Sequence, residues 1–250
     1  MEFGIGLLAG VLAVVAAMRS TWSPCGLSML STVTPVAERA RGHRFWVTAV
    51  WFVLGAIAGG ATLGVVAAAL AAMVGALSLS TGVSATLGGI VVGVALASDV
   101  QLGGFRIPGN TRQVDENWLS AYRPWVYGIG FGWQIGVGVA TYIMTAAVYA
   151  MVLLAALSAN PLLAFALMTS FGLARGLAVL LGAGLTSPAR VFAFHRRFDA
   201  MGAYVRWLVL GVEAAILVAL AGVIGLALVV AVAIAMALTR RAPAVRAEPA

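Results

Sequence analysis

The chain has 250 residues, of which 62% are hydrophobic and only 9% are charged. A soluble domain carries about 25% charged residues, so this composition excludes an ordinary soluble protein and indicates one that crosses a membrane several times. The net charge of +7 comes from arginines in the loops, which indicates membrane topology rather than nucleic-acid binding.

Six apolar stretches approach or exceed the roughly 20 residues that a helix needs to cross the hydrocarbon core of a bilayer. We predict spans over residues 4–30, 45–77, 83–97, 127–157, 161–185 and 207–238. The expected fold is an all-α, polytopic membrane helix bundle with about six transmembrane helices. Residues 1–250 then form a single transmembrane domain with a long loop at 99–126.

The arginines are distributed unevenly between the two sides of this predicted bundle. Three, three and four of them lie in or next to the loops after spans 1, 3 and 5, whereas the opposite side has three, all in the C-terminal tail. Loops rich in arginine tend to stay in the cytoplasm. We therefore expect a multi-pass protein of a bacterial plasma membrane, with the long loops cytoplasmic and both termini outside.

The first span contains a polar interruption. Pro24 has no amide hydrogen and should kink or break the helix, and it stands next to Cys25, the only cysteine of the chain. Breaks at membrane depth free carbonyl groups and often form binding sites in transporters. A candidate solute site is therefore predicted here and at a similar position in span 4. Its residues are Trp22, Ser23, Pro24, Cys25, Trp133 and Gln134.

The segment Trp133–Gly136 in span 4 is a weak counterpart of Trp22–Cys25 in span 1. Residues 1–98 and 127–238 could thus be two inverted three-helix repeats, with chance similarity as the alternative. An inverted repeat would place a shared site near the membrane midplane.

Three charged residues lie within the predicted spans, namely Arg19, Arg175 and Glu213. A charge inside the bilayer is energetically expensive and is usually paired or functional. We expect Glu213 to pair with one arginine and the remaining positive charge to contact an anionic solute or a lipid headgroup. A purely structural ion pair is the alternative.

Glycines also recur at a spacing of four residues in the predicted spans. The pairs are Gly55 and Gly59, Gly60 and Gly64, Gly89 and Gly93, and Gly172 and Gly176. In lipid this spacing lets helix backbones approach closely, so it predicts a tightly packed bundle.

The run Trp22–Gly26, followed after a basic loop by Trp51–Gly55, resembles the membrane electron carriers of the DsbD/CcdA type. These carriers belong to a superfamily that includes LysE-type and TauE/SafE-type exporters. Gly130–Trp133 is also similar to the start of that family's fourth span. The resemblance implies the fold of these electron carriers. It also implies that electrons pass from thioredoxin through one cysteine in span 1 and one in span 4. Cys25 matches the first cysteine, but Gly136 stands at the second, so only mixed disulfides with a partner would remain.

The sequence leaves three functions open. The first is a transporter that moves a small, anionic or sulfur-containing solute. The second is a thiol-redox protein that uses Cys25 in mixed disulfides with a thioredoxin-like partner. The third is a non-transporting membrane subunit that assembles with another membrane protein.

No zinc motif, phosphate loop or serine–histidine–aspartate set lies in a plausible site of this sequence. We therefore expect no cofactor, no metal and no nucleic-acid partner, and we favour a protein that is not an enzyme. Cys25 is the one candidate catalytic residue, and only in the redox case.

Overall fold

The computed structural model describes residues 2–114 and 117–241, and within these residues the regular secondary structure is helical. The α-helices are α1 (Glu2–Ser20), α2 (Pro24–Thr32), α3 (Pro35–Ala40), α4 (Phe45–Ala76), α5 (Thr81–Asp99), α6 (Trp118–Ala121), α7 (Pro124–Val137), α8 (Ala147–Leu157), α9 (Pro161–Leu177) and α10 (Pro188–Arg241). Two 3₁₀ helices, Leu102–Gly104 and Ala178–Gly182, follow α5 and α9. The predicted all-α bundle is thus confirmed at this level.

Proline is the first residue of five of these helices. They are α2, α3, α7, α9 and α10. The first residues of a helix have no partner for their amide hydrogens, so proline is tolerated there and its fixed φ favours the helix start. Ser23 and Thr34, which precede Pro24 and Pro35, cap α2 and α3 by accepting hydrogen bonds from Gly26 N and Ala37 N, each at 3.2 Å.

Four helices of the described part of the chain are long and apolar enough to cross a membrane. They are α4, α5, the helix Pro161–Gly182 and Pro188–Ala237 of α10. The bent pair of α1 and α2, which meet at 62°, makes a fifth if it is counted as one span. The chain is accordingly a membrane protein, although the structure does not reproduce six continuous spans.

The difference in the number of spans arises mainly at the predicted span 127–157. This region forms two short helices, α7 and α8, of 14 and 11 residues. Helix α7 ends because Gly138 adopts a φ of +74°, in the left-handed region that glycine tolerates. The predicted span 207–238 differs in another way, because α10 already begins at Pro188 and kinks at Gly222, whose φ is +55°.

Helix α4 is central and packs against both α7 and α9. A Cβ atom added at Gly136 of α7 would lie 2.1 Å from the Ala56 carbonyl oxygen of α4, and one at Gly172 of α9 would lie 2.4 Å from the same atom. Backbones that approach so closely leave no room for a side chain. Gly55, Gly59 and Gly60 meet α7 or α9 in the same way, which confirms the close packing that the glycine spacing predicts.

The rest of the bundle is formed mainly by α1, α5, α8 and α10. Helix α1 contacts α8, α9 and α10, and α10 also packs against α5. Many large apolar side chains point outward, with Leu162 exposed to 78% and Val223 to 84%. Such a surface suits contact with lipid hydrocarbon rather than with water.

Candidate functional site

The break between α1 and α2 places Cys25 in the first turn of α2. The thiol is only 1% exposed. It belongs to an apolar cluster that also contains Ile135 of α7 and Tyr142 of the segment after α7. The break between α1 and α2 therefore meets α7 and the segment that follows it around the only cysteine of the sequence.

At the break between α7 and α8, three backbone carbonyl groups accept hydrogen bonds from side chains of the protein. Arg175 of α9 donates from Nη1 to the Ile135 carbonyl oxygen at 2.6 Å. Asn110 donates from Nδ2 to the carbonyl oxygens of Val139 at 3.3 Å and Ala140 at 3.0 Å. Since an unpaired carbonyl at membrane depth is costly, these contacts explain how α7 can end inside the bundle.

The segment that contains Asn110 also reaches Cys25. The Ile143 amide donates to the Asn110 carbonyl oxygen at 2.9 Å, and the Arg112 amide donates to Asn110 Oδ1 at 2.8 Å. The Cys25 Sγ atom lies 3.9 Å from the Arg112 carbonyl oxygen. Part of the predicted loop 99–126 is thus packed into the bundle beside the thiol.

The guanidinium of Arg175 is the charged group of this site. It is 3% exposed and lies 5.7 Å from the centre of the Phe171 ring, and its hydrogen bond to Ile135 places it beside the cluster that contains Cys25. The predicted pair of Arg175 and Glu213 is wrong, because both carboxylate oxygens of Glu213 lack a hydrogen-bond partner among the described residues. The reason lies in the packing: α9 and α10 both contact α1, but α9 packs mainly against α4, whereas α10 packs mainly against α5.

Arg19 lies near Asp99 rather than Glu213. It interacts electrostatically with Asp99, and Arg206 donates from Nη2 to the Asp99 carbonyl oxygen at 3.3 Å. The Asp99 carboxylate accepts hydrogen bonds from the Thr145 hydroxyl and, at 2.7 Å, from the Ala146 amide. Asp99 also lines a polar cavity of about 290 Å³. Asp99 was not among the predicted site residues, because it begins the predicted loop 99–126, just after the span 83–97.

A second buried polar cluster was also missed. Glu38 accepts hydrogen bonds from Thr48 at 2.7 Å, from the Tyr127 hydroxyl at 2.7 Å and from Arg41 at 2.5 Å. His43 lies 3.8 Å away from the same carboxylate. The signal available in the sequence was Thr48 and Tyr127, two polar residues near the starts of apolar stretches.

The other predicted solute-site residues have contacts in different parts of the bundle. Trp22 stacks on Phe198 of α10 with ring centres 4.1 Å apart, and its indole donates to the Phe198 carbonyl oxygen at 2.8 Å. Trp133 is 40% exposed and donates to Thr62 of α4 at 3.1 Å. Gln134 donates to Gly130 of its own helix at 3.3 Å. The two tryptophans therefore contact different helices.

Comparison with known proteins shows to which family this chain belongs. The chain is 33% identical over 197 residues to the methylamine utilization protein MauF of Paracoccus denitrificans, an alignment that covers 75% of this chain and 68% of that protein. The chain belongs to the MauF family. It is also 33% identical over 179 residues to MauF of Paracoccus versutus, covering 70% of this chain and 64% of that protein. The chain thus spans about two thirds of the length of these relatives.

A third relative, MauF of Methylophilus methylotrophus, is 29% identical over 187 residues, which cover 72% of this chain and 63% of that protein. No protein-family model matches the sequence. No solved structure matches it either.

Membership of the MauF family corrects two predictions. The relatives are MauF proteins and not DsbD/CcdA-type carriers or LysE-type exporters, so the resemblance drawn from Trp22–Gly26 and Trp51–Gly55 is wrong. The predicted transporter is wrong for the same reason. Both predictions depended on short runs of tryptophan, glycine and proline, residue types that membrane helices use wherever they pack closely or break.

Proposed function

We propose that this chain is a non-transporting membrane protein that serves methylamine utilization together with a partner protein. The observation that carries the proposal is the 33% identity to MauF over 197 residues. The packing supports it, because the carbonyl groups at the break after α7 are bonded by Arg175 and Asn110 rather than left open to a solute. A break whose polar atoms are bonded within the protein suits a fixed scaffold.

In this proposal the arginine-rich loops face the cytoplasm, following the tendency of such loops to remain on that side. The two interrupted helices, α1–α2 and α7–α8, support a relation of residues 1–98 and 127–238 by an inverted repeat.

Growth on methylamine tests the role. A host that grows on methylamine should lose that growth when the gene for this chain is deleted, should regain it when the gene is restored, and should grow normally on ammonium throughout. Unchanged growth of the deletion strain on methylamine would reject the proposed role. Uptake of labelled methylamine by liposomes that contain the purified chain, above empty liposomes, would reject its non-transporting character.

A second candidate, thiol exchange with the partner, is favoured by one specific observation. The only thiol, that of Cys25, packs in one cluster with Ile135, whose carbonyl oxygen accepts a hydrogen bond from the buried guanidinium of Arg175 at 2.6 Å. In the exchange, the Cys25 thiolate attacks a disulfide of the partner, forms a mixed disulfide and releases one partner thiolate. That partner thiolate then attacks the mixed disulfide, which returns the Cys25 thiolate and closes the partner disulfide, in its original or a rearranged pairing.

Replacement of Cys25 separates the two candidates. If thiol exchange is the function, both Cys25→Ser and Cys25→Ala abolish growth on methylamine, and an acid quench followed by alkylation traps a reducible complex from the unaltered protein only. Full growth of both variants would exclude thiol exchange and leave the accessory role intact.

A further inference from the structure

A cavity of about 540 Å³ lies at the start of α4, between α3 and the segment that follows α9. Its walls combine cationic and apolar side chains. Arg39 and Arg44 contribute the cationic part, whereas Trp46 and Val47 contribute to the apolar part. This cavity plays no role in the site around Cys25.

The two arginines of this cavity have unused hydrogen-bonding capacity. The structure assigns no ion pair or side-chain hydrogen bond to Arg39 or Arg44 within its described range. The nearest acid in sequence, Glu38, is already bonded by Arg41, Thr48 and Tyr127. The cavity therefore presents two uncompensated guanidinium groups, each of which can form a paired hydrogen bond with a phosphate.

The apolar wall of the cavity indicates how deep in the membrane the cavity lies. Phe45 begins α4, which is long and apolar enough to cross the bilayer, and Trp46 and Val47 are 63% and 43% exposed. Tryptophan is enriched where the hydrocarbon core meets the headgroup layer. The cationic residues just before Phe45 are then at headgroup level, and the outward face of Trp46 and Val47 is at the level of the glycerol and first acyl carbons.

We propose that this cavity binds the headgroup of an anionic phospholipid, with its phosphate held by Arg39 and Arg44 and its glycerol end against Trp46 and Val47. An anionic lipid fits better than a free phosphate, because a free ion would leave the apolar wall in water. It also fits better than a neutral lipid, because two uncompensated arginines attract a headgroup with net negative charge.

The test uses the purified full chain in a neutral detergent and measures lipid binding by native mass spectrometry. Phosphatidylglycerol should bind the unaltered protein more tightly than phosphatidylcholine. A basic residue near an anionic membrane surface contributes about 1 kcal/mol, so the double variant R39A/R44A should bind phosphatidylglycerol about 30-fold more weakly. The matched control is R196A/R197A, which removes the same charge from two exposed residues of α10 and should change binding by less than about threefold.

Three results would overturn the proposal. One is equal affinity of the unaltered protein for phosphatidylglycerol and phosphatidylcholine. Another is an equal loss of binding in R39A/R44A and R196A/R197A, which would indicate a general effect of charge. The third is full competition by inorganic phosphate at equal concentration, which would indicate a site for the free ion. Melting temperatures of both double variants without lipid should equal that of the unaltered protein, which checks that each is folded.

Discussion

Glu38 and Glu213 have the same degree of burial and opposite surroundings. Neither side chain has exposed surface. Glu38 accepts hydrogen bonds from two hydroxyl groups and one guanidinium, whereas both oxygens of Glu213 lack a partner in the part of the molecule that is described. Burial alone therefore does not determine what a glutamate contributes to the stability of this bundle.

The difference follows from where each glutamate lies along the chain. Glu38 is in the short helix α3, so the chain turns immediately and returns Arg41 and the start of α4 to the same carboxylate. Glu213 lies within the long helix α10, and Arg206, one of the arginines beside its acidic neighbour Asp99, already donates to the Asp99 carbonyl oxygen. A turn supplies polar groups at close range, which a continuous membrane helix cannot do.

The largest expected effect is at Glu38. Replacement by methionine keeps the size of the side chain but leaves Arg41, Thr48 and Tyr127 without their shared acceptor. Removal of one partner of a buried ion pair costs about 3–5 kcal/mol, and since the Arg41 side chain is 25% exposed, Glu38→Met should lower the free energy of unfolding by about 3 kcal/mol. Urea unfolding of the purified chain in mixed detergent micelles measures it. The matched control is Asp199→Met, at an exposed acid of α10, which should change stability by less than about 0.5 kcal/mol.

A small effect of Glu38→Met, close to that of the control, would contradict the comparison. It would mean that water reaches Arg41 and Tyr127 and replaces the carboxylate.

The sequence predicted the apolar helices well, because their composition and length alone distinguish membrane segments. The span 45–77 agrees with α4 to within one residue, and the break near Pro24 is where α1 ends and α2 begins. The glycine spacing also indicated a tightly packed bundle, and Gly55, Gly59 and Gly60 of α4 do lie against the backbones of α7 and α9. These features depend on local chemistry, which a sequence contains in full.

The polar contacts were poorly predicted, because they depend on which helices are neighbours. The pair of Glu213 with an arginine was deduced from depth along the spans, and depth does not reveal that α9 packs mainly against α4 whereas α10 packs mainly against α5. Conversely, the cluster around Glu38 joins residues that are 89 positions apart in the sequence, and no sequence motif predicts their contact. Arg175 was recognised as special, but its bond to the Ile135 carbonyl required knowledge that α7 ends inside the bundle.

Replacement of Glu213 by methionine should change the free energy of unfolding in the opposite direction. Glu213→Met removes a buried carboxyl group that has no hydrogen-bond partner among the described residues, and an unsatisfied buried polar group costs about 1–3 kcal/mol. The free energy of unfolding should therefore rise by about that amount in the same urea experiment. A decrease would show that Glu213 has a partner in the membrane that the comparison with Glu38 does not include, such as a bound cation or an ordered water.

The smallest expected effect is at Tyr127, and it measures what one member of the Glu38 cluster contributes to stability. Tyr127→Phe removes only the hydroxyl group that donates to the carboxylate at 2.7 Å. A hydrogen bond to a charged group contributes about 1.5–3 kcal/mol, so the loss should lie near the lower end because Thr48 and Arg41 remain. In the Glu38→Met background the same change should cost almost nothing, since the acceptor is already gone. Residues in one network show such coupling in a double-mutant cycle. Equal losses in both backgrounds would mean that Tyr127 stabilises the bundle through its ring alone, and the contrast between the two glutamates would then depend on Arg41 and Thr48.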